Sequence, residues 1–415
     1  MVSTGARREL AVGVVLLFLG CGGPQSQLSA IPGANSAALR AADGTSKYAV
    51  LFSFDNTDGN GPAGLLNVHG TLYGTTYTGG TGTNCADSDG CGTVFSLTAD
   101  GKETVLHDFV GGADGDEPNG GLMELNGTIY GTTRYGGGCK IESLGCGTVF
   151  SITTDGKERV LYSFAGHFDA ETPTGRLLDV NGTLYGTSQA GGARRKGGTL
   201  FSVTTAGKER VLCIFAPENG IEPSPVVNVN GILYGTMFDG GPGGDGTVFS
   251  VTLTGKERLL YSFTGTPNGA FPTGGMIGVN GTLYGTTTAG GTSTSNCYFS
   301  SNQCGTVFSI TTAGKENVVY RFGGAPSDGS VPNGRLMALG DVLYGTTETG
   351  GARGRGTVFA VTTAGQERVL HSFTAHYKHD GRTPSDGLAD IAGKLYGTTS
   401  EGGDDRAGTV FVLNP

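Results

Sequence analysis

Two residue types in this 415-residue chain stand at spacings that could do chemistry: cysteines in close pairs, and carboxylates in a fixed relation to proline. Six of the 8 cysteines form the pairs Cys85/Cys91, Cys139/Cys146 and Cys297/Cys304, each at one place in a repeating unit. Zinc would want closer pairs with histidine partners. None is near in sequence, so local disulfides are expected. Each would close a small loop and contribute about 2 kcal/mol or less. Cys213 stands where other units carry Phe52, Tyr162, Tyr261 and Tyr320, and reads as a buried thiol.

Asp or Asn recurs four residues before proline, as Asp58/Pro62, Asp114/Pro118, Asp169/Pro173, Asn219/Pro223, Asn268/Pro272, Asp328/Pro332 and Asp380/Pro384. An Asx-turn leading into proline accounts for this locally. A ring of carboxylates holding a cation is the chemical alternative, with calcium the candidate cofactor. Asp114, Asp116 and Glu117 are the densest cluster, although the regular calcium-loop motif is absent. Asp58, Asp114, Asp116, Glu117 and Asp380 are therefore the candidate ligand residues, and Tyr298, Phe299 and Tyr377 could stack on sugars. His371, His376 and His379 cluster near the last of these loops and read as solvated rather than metal-binding.

The elements that must position these residues repeat. The Tyr of an "LYGT"-like motif falls at 73, 130, 185, 234, 284, 344 and 396, and a Gly pair and then "GTVF" or "GTLF" follow each time. Residues 176–215 resolve one unit into four short β runs, "RLLDV", "TLYGTS", "TLFSVTT" and "ERVLCIF", with Asn181-Gly182 and Ala206-Gly207 between pairs of runs. Asn-Gly between apolar runs signals a two-residue hairpin, so the unit is an antiparallel four-stranded meander. Such a sheet cannot bury both faces alone. Packing sheets around an axis solves that, and the Gly of "YGT" would let neighbouring sheets approach closely. The first run, "YAVLFSF" at 48–54, is a fourth-type strand without its first three, and the chain ends on a third-type strand. The expectation is an all-β, seven-bladed β-propeller over 48–415, closed by an N-terminal outer strand. Asn67, Glu124, Asp179, Asn228 and Asp390 on the first strands are expected to line its channel.

The pattern LYGTT–GG–GTVF–GKE–VLYSF resembles the GloVer (Gloeo/Verruco) tandem-repeat family of exported bacterial proteins over residues 48–415. Its strand layout is similar to that of kelch propellers, without their tryptophan. The resemblance implies a propeller-like surface protein with no established activity, and it carries over no catalytic residue.

Residues 1–20 read as a lipoprotein-type signal peptide. Arg7 and Arg8 precede the short apolar run Ala11–Leu19, and Phe18-Leu19-Gly20-Cys21 resembles a lipobox, so Cys21 is the expected lipidation site. Residues 21–47 are a flexible tether. This predicts an exported protein held at the outer membrane or cell surface through a lipid anchor alone. A formal net charge of −9 argues against a nucleic-acid partner. Connections after strands one and three are uniformly short. Those after strands two and four, such as 78–92, 110–120, 289–305 and 374–386, are long and variable. Binding residues concentrate on variable loops of a rigid scaffold. The expectation is a non-catalytic binding or scaffold propeller, engaging an extracellular glycan or protein on its long-loop face. The alternative is an extracellular enzyme acting on glycans or other polymers at the axis. The chain has no Trp for sialidase-type or quinoprotein motifs and no G-x-S-x-G elbow.

Overall fold

The computed structural model describes residues 48–86, 89–139, 144–192, 197–292, 295–297, 303–374 and 380–415. The expected signal peptide and tether, with Cys21, lie outside them, as do His376, Tyr377, His379, Tyr298 and Phe299.

Seven antiparallel sheets form the fold. Blades one to seven have inner strands beginning at Asn60, Asp116, Ala170, Ile221, Ala270, Gly329 and Gly381. The third blade shows the pattern: Ala170–Val180 innermost, then Thr183–Gly191, Thr199–Thr204 and, outermost, Glu209–Ile214. Val180 pairs with Thr183 across the first turn, where Asn181 and Gly182 have φ of 53° and 80°. Two consecutive positive φ values are what a type I′ turn requires. In five of the blades the residue two positions before this turn caps it. Asn67, Glu124, Asp179, Asn228 and Asp390 accept the backbone N–H of Gly70, Gly127, Gly182, Gly231 and Gly393 at 2.6–2.9 Å.

Closure follows the expectation. Tyr48–Ser53 pairs antiparallel with Thr409–Leu413 as the outer strand of blade seven, with Tyr48 opposite Leu413. The core lies between blades. A fully buried Phe after each outer strand packs against the "GTVF" Phe of the next blade. The seven pairs are Phe54–Phe95, Phe109–Phe150, Phe164–Phe201, Phe215–Phe249, Phe263–Phe308, Phe322–Phe359 and Phe373–Phe411, with centroids 4.8–5.4 Å apart. Edge-to-face and tilted pairs of this kind add to simple burial. Phe373–Phe411 joins blade six to blade seven and Phe54–Phe95 joins blade seven to blade one, so the ladder has no gap.

Two expectations need correction. The "YGT" glycine does not admit a neighbouring blade. A Cβ on Gly186 would lie 2.4 Å from Cζ of Phe201, its own cross-strand partner, so this Gly makes room for the ladder. The segments assigned to long loops before proline are also partly strand. Ala170–Val180 is one bulged strand, and in blade two Asp116–Pro118 and Met123–Leu125 are two short pieces of it. Proline is tolerated there because it sits at a kink beside a bulge.

Candidate functional site

The recurrent Asx and proline build the joints between blades. The residue before each proline has positive φ, as at Glu117, Thr172, Phe271, Val331 and Thr383 (52–60°). In these blades its N–H donates to the preceding blade, for example from Thr172 to the Cys146 carbonyl at 3.0 Å. Proline then occupies the place of an absent side chain: a Cβ on Gly147 would lie 2.5 Å from Cδ of Pro173. The Asx turns inward. Asp169 accepts the Tyr162 hydroxyl at 2.9 Å and the Ala165 N–H at 2.8 Å. Asp328 accepts from Tyr320 and Gly323 at 2.9 and 2.7 Å, and Asn268 donates to Tyr261 at 3.1 Å. A glutamate from the next blade's outer strand approaches each group. Asn219 donates to Glu257 at 3.1 Å, and ligating atoms of His107, Asp114 and Glu158 lie within 4.8 Å of one another.

Burial pushes Glu103, Glu158 and Glu209 up to about 7, and Glu367 up to about 8, with neighbouring aspartates adding to the shift. Each of these glutamates keeps one buried carboxyl oxygen without a hydrogen-bond partner. Burial opposes ionisation of Asp114, but His107 at 3.2 Å and the Val110 N–H at 2.9 Å outweigh it and hold the carboxyl below its ordinary value. The seventh joint has Tyr48 in the glutamate's place, stacked on His371 with ring centroids 3.7 Å apart. Burial, with Asp380 beside it, drives that phenol well above the usual range.

The expected ligand residues are therefore turned into the protein. Asp58 accepts the Asp55 N–H at 3.0 Å, and Asp380 accepts the Thr374 N–H at 2.8 Å and its hydroxyl at 2.9 Å. Asp116 and Glu117 are buried, Asp116 accepting the Ala86 N–H and Glu117 lying 3.5 Å from Arg134. The five are spread over several joints, not gathered as the six to eight oxygens of a calcium site would be. His107, Asp114 and Glu158 could hold a metal by composition, but the same place holds Tyr162, Asp169 and Glu209 one blade on.

Cysteines fall as expected. Disulfides join Cys85–Cys91, Cys139–Cys146 and Cys297–Cys304, and Cys213 is free and buried. Burial, with Glu257 nearby, pushes the Cys213 thiol up to about 12, so it is inert near neutrality.

The axis holds a cavity of about 1080 Å³, lined by all seven inner strands. Asn67, Glu124, Asp179, Asn228 and Asp390 line it towards the short turns, as expected. Its other end is a collar of inner-strand bulges. Added Cβ atoms would meet the next blade's backbone at 2.4 Å between Gly120 and Gly175 and 2.6 Å between Gly64 and Gly121, and Pro225 at 2.2 Å from Gly175. Gly275 against Pro225, Gly274 against Gly334, Gly334 against Asp386 and Gly64 against Asp386 complete the circle at 2.6–2.9 Å. Hydroxyls stitch it, as from Thr346 to the Asp386 carbonyl at 3.0 Å and from Ser385 to the Pro62 carbonyl at 3.1 Å. Three side chains break the pattern at this level: Arg176, Arg335 and Asp386. Burial lowers the Arg176 guanidinium to about 10, with Arg335 adding to the effect and Asp386 opposing it. Sequence reading missed these three. The signal was the position after the collar Gly, where Gly121 and Gly275 are matched by Arg176 and Arg335.

A family model described as the Gloeobacter/Verrucomicrobia repeat matches residues 83–299 and 297–415. No curated protein matches the chain in sequence. A puromycin hydrolase is similar in structure at 11% identity and TM-score 0.52, over 83% of this chain and 50% of that one. A Xanthomonas campestris gluconolactonase matches at 14% identity and TM-score 0.45, over 91% and 92% of the two chains. The likeness to the puromycin hydrolase shows the fold and no more.

Proposed function

The chain belongs to the Gloeobacter/Verrucomicrobia repeat family, and from that premise we propose that it is an exported recognition propeller that docks a protein partner on its long-loop face. The observation that carries this reading is where apolar surface is left uncovered. Among the described residues, the exposed large hydrophobics are Val110, Leu144, Phe168 and Ile214, at 54%, 43%, 76% and 39%. All four stand at the long-loop end of consecutive blades, on connections after second or fourth strands or at an outer strand's last residue. Val110 and Ile214 take places where other units carry Asp55 and Ser163. Aromatic and aliphatic anchors in a polar surround are the usual centre of a protein interface.

Three disulfides support an extracellular or periplasmic site of action. Among the described residues no helix is long and apolar enough to cross a membrane. A lipid on Cys21 would supply attachment to the outer membrane, and Cys21→Ala should abolish lipid labelling.

The test places a photo-crosslinking residue at Phe168, at Val110 or at Lys157, which lies in a short turn, in the producing cell. Discrete protein adducts from 168 and 110 and none from 157 are expected. Adducts from 157 alone, or none from the two loop positions, would overturn the docking face. Turnover of a substrate by the purified protein, abolished at an axial residue, would replace recognition with catalysis.

A further inference from the structure

We propose that the axial cavity binds a small organic acid through one carboxylate, held between Arg176 and Arg335 at the collar. This site is independent of the docking face, since it lies on the far side of the collar from the long loops.

The argument starts from what the ring requires. Blades two and five have Gly121 and Gly275 where blades three and six have Arg176 and Arg335, so closure needs no charge there. Among the described residues neither guanidinium has a hydrogen-bond or ion-pair partner, although both sit inside the ring and line the cavity. A guanidinium carries five donors in a planar fork, and leaving it partly desolvated and unpaired is costly. Asp386 does not discharge the pair. Its Oδ1 accepts the N–H of Gly387 at 2.6 Å, and it supplies one negative charge against two positive ones. One unit of positive charge remains at the collar end, while the carboxylates Glu124, Asp179 and Asp390 stand at the short-turn end of the same cavity. A carboxylate matches both the charge and the fork geometry. The walls above are mainly apolar, including Leu65, Leu178, Val227 and Met337, which suits an organic body. The cavity volume of about 1080 Å³ is ample for a small ligand.

The experiment measures binding of benzoate, inorganic phosphate and benzyl alcohol to residues 48–415 by calorimetry at low, matched ionic strength. Saturable benzoate binding, at least tenfold tighter than that of phosphate or benzyl alcohol, is expected. Arg176→Gly and Arg335→Gly restore the residue that other blades carry, so the ring should close, as thermal melting will verify. Each should weaken benzoate at least tenfold. Asp386→Gly removes the competing charge, matches Gly334 of blade six and Gly274 of blade five, and should tighten it. The proposal is overturned if benzoate binds no better than benzyl alcohol, if the arginine variants bind it unchanged, or if Asp386→Gly weakens it. Phosphate binding in preference to benzoate would overturn the carboxylate assignment.

Discussion

The joints between blades and the collar at the axis both hold buried charge, and they use it in opposite ways. At the joints an acidic or amide side chain recurs in every blade, and protein donors consume it, as Tyr162 and the Ala165 N–H consume Asp169. At the collar, charge occurs in only three blades, as Arg176 and Arg335 at one repeat position and Asp386 beside it, and the two arginines have no hydrogen-bond or ion-pair partner among the described residues. In a ring of repeats, a polar group present in all copies is explained by the contact that all copies make. One present in only a few copies needs another reason.

That contrast can be broken at several points. The largest effect is expected from removing residues 48–54, which takes away an outer strand and the fully buried Phe54 together. The loss should exceed the ~3–5 kcal/mol of a single buried Phe→Ala change, and the bared strand edge should promote aggregation. An unchanged melting temperature would mean that the ring does not depend on this seam. Next, Asp169→Ala strands a tyrosine hydroxyl and two backbone N–H groups at one joint. A cost of ~2 kcal/mol in urea unfolding is expected. A cost near zero would make the joint decorative.

The third effect is pH dependence. Glu103, Glu158 and Glu209 rise from an ordinary 4.5 to about 7, and Glu367 to about 8. Folding therefore favours their protonated form. The stability they contribute is complete below about 4.5 and is lost as pH rises through 7–8. Asp114 and Asp380, held low, give the opposite dependence only below 3.8. Melting should thus be higher at pH 5 than at pH 8, and Glu209→Gln should flatten the difference. A melting temperature that climbs from pH 5 to pH 8 would contradict the joint electrostatics. The smallest effect is expected at the collar: Arg176→Gly should change stability by no more than ~0.5 kcal/mol, or raise it. A loss of several kcal/mol would give the arginine a structural role and dissolve the contrast.

Much of the ring is legible in the sequence because its signals are local or phased. Asn181-Gly182 announces a hairpin, and "YAVLFSF" standing alone at the start announces the seam. The cysteine pairs were legible for the same reason, since each closes within one loop. The joints were half legible. The Asx–Pro spacing is visible, but its partners, Gly147 and Glu209 for Asp169 and Pro173, lie in different blades and meet only through the fold. Exposure of the acidic residues could not be read, because polar character alone does not reveal that Asp116 accepts a loop N–H. The axial arginines were hidden because their role depends on the closed ring. Arg176 and Arg335 both stand three residues after proline, but only the ring shows that this position faces the axis.

The seam also gives the molecule a polarity. Tyr48 pairs with Leu413, the last residue of a strand that starts at the long-loop end, so the outer strand begins at the short-turn rim. Tyr48 therefore stands at the rim towards which the axial cavity extends, and the uncovered Val110, Leu144, Phe168 and Ile214 stand at the opposite one, so the two faces of the ring meet small solutes and large surfaces separately.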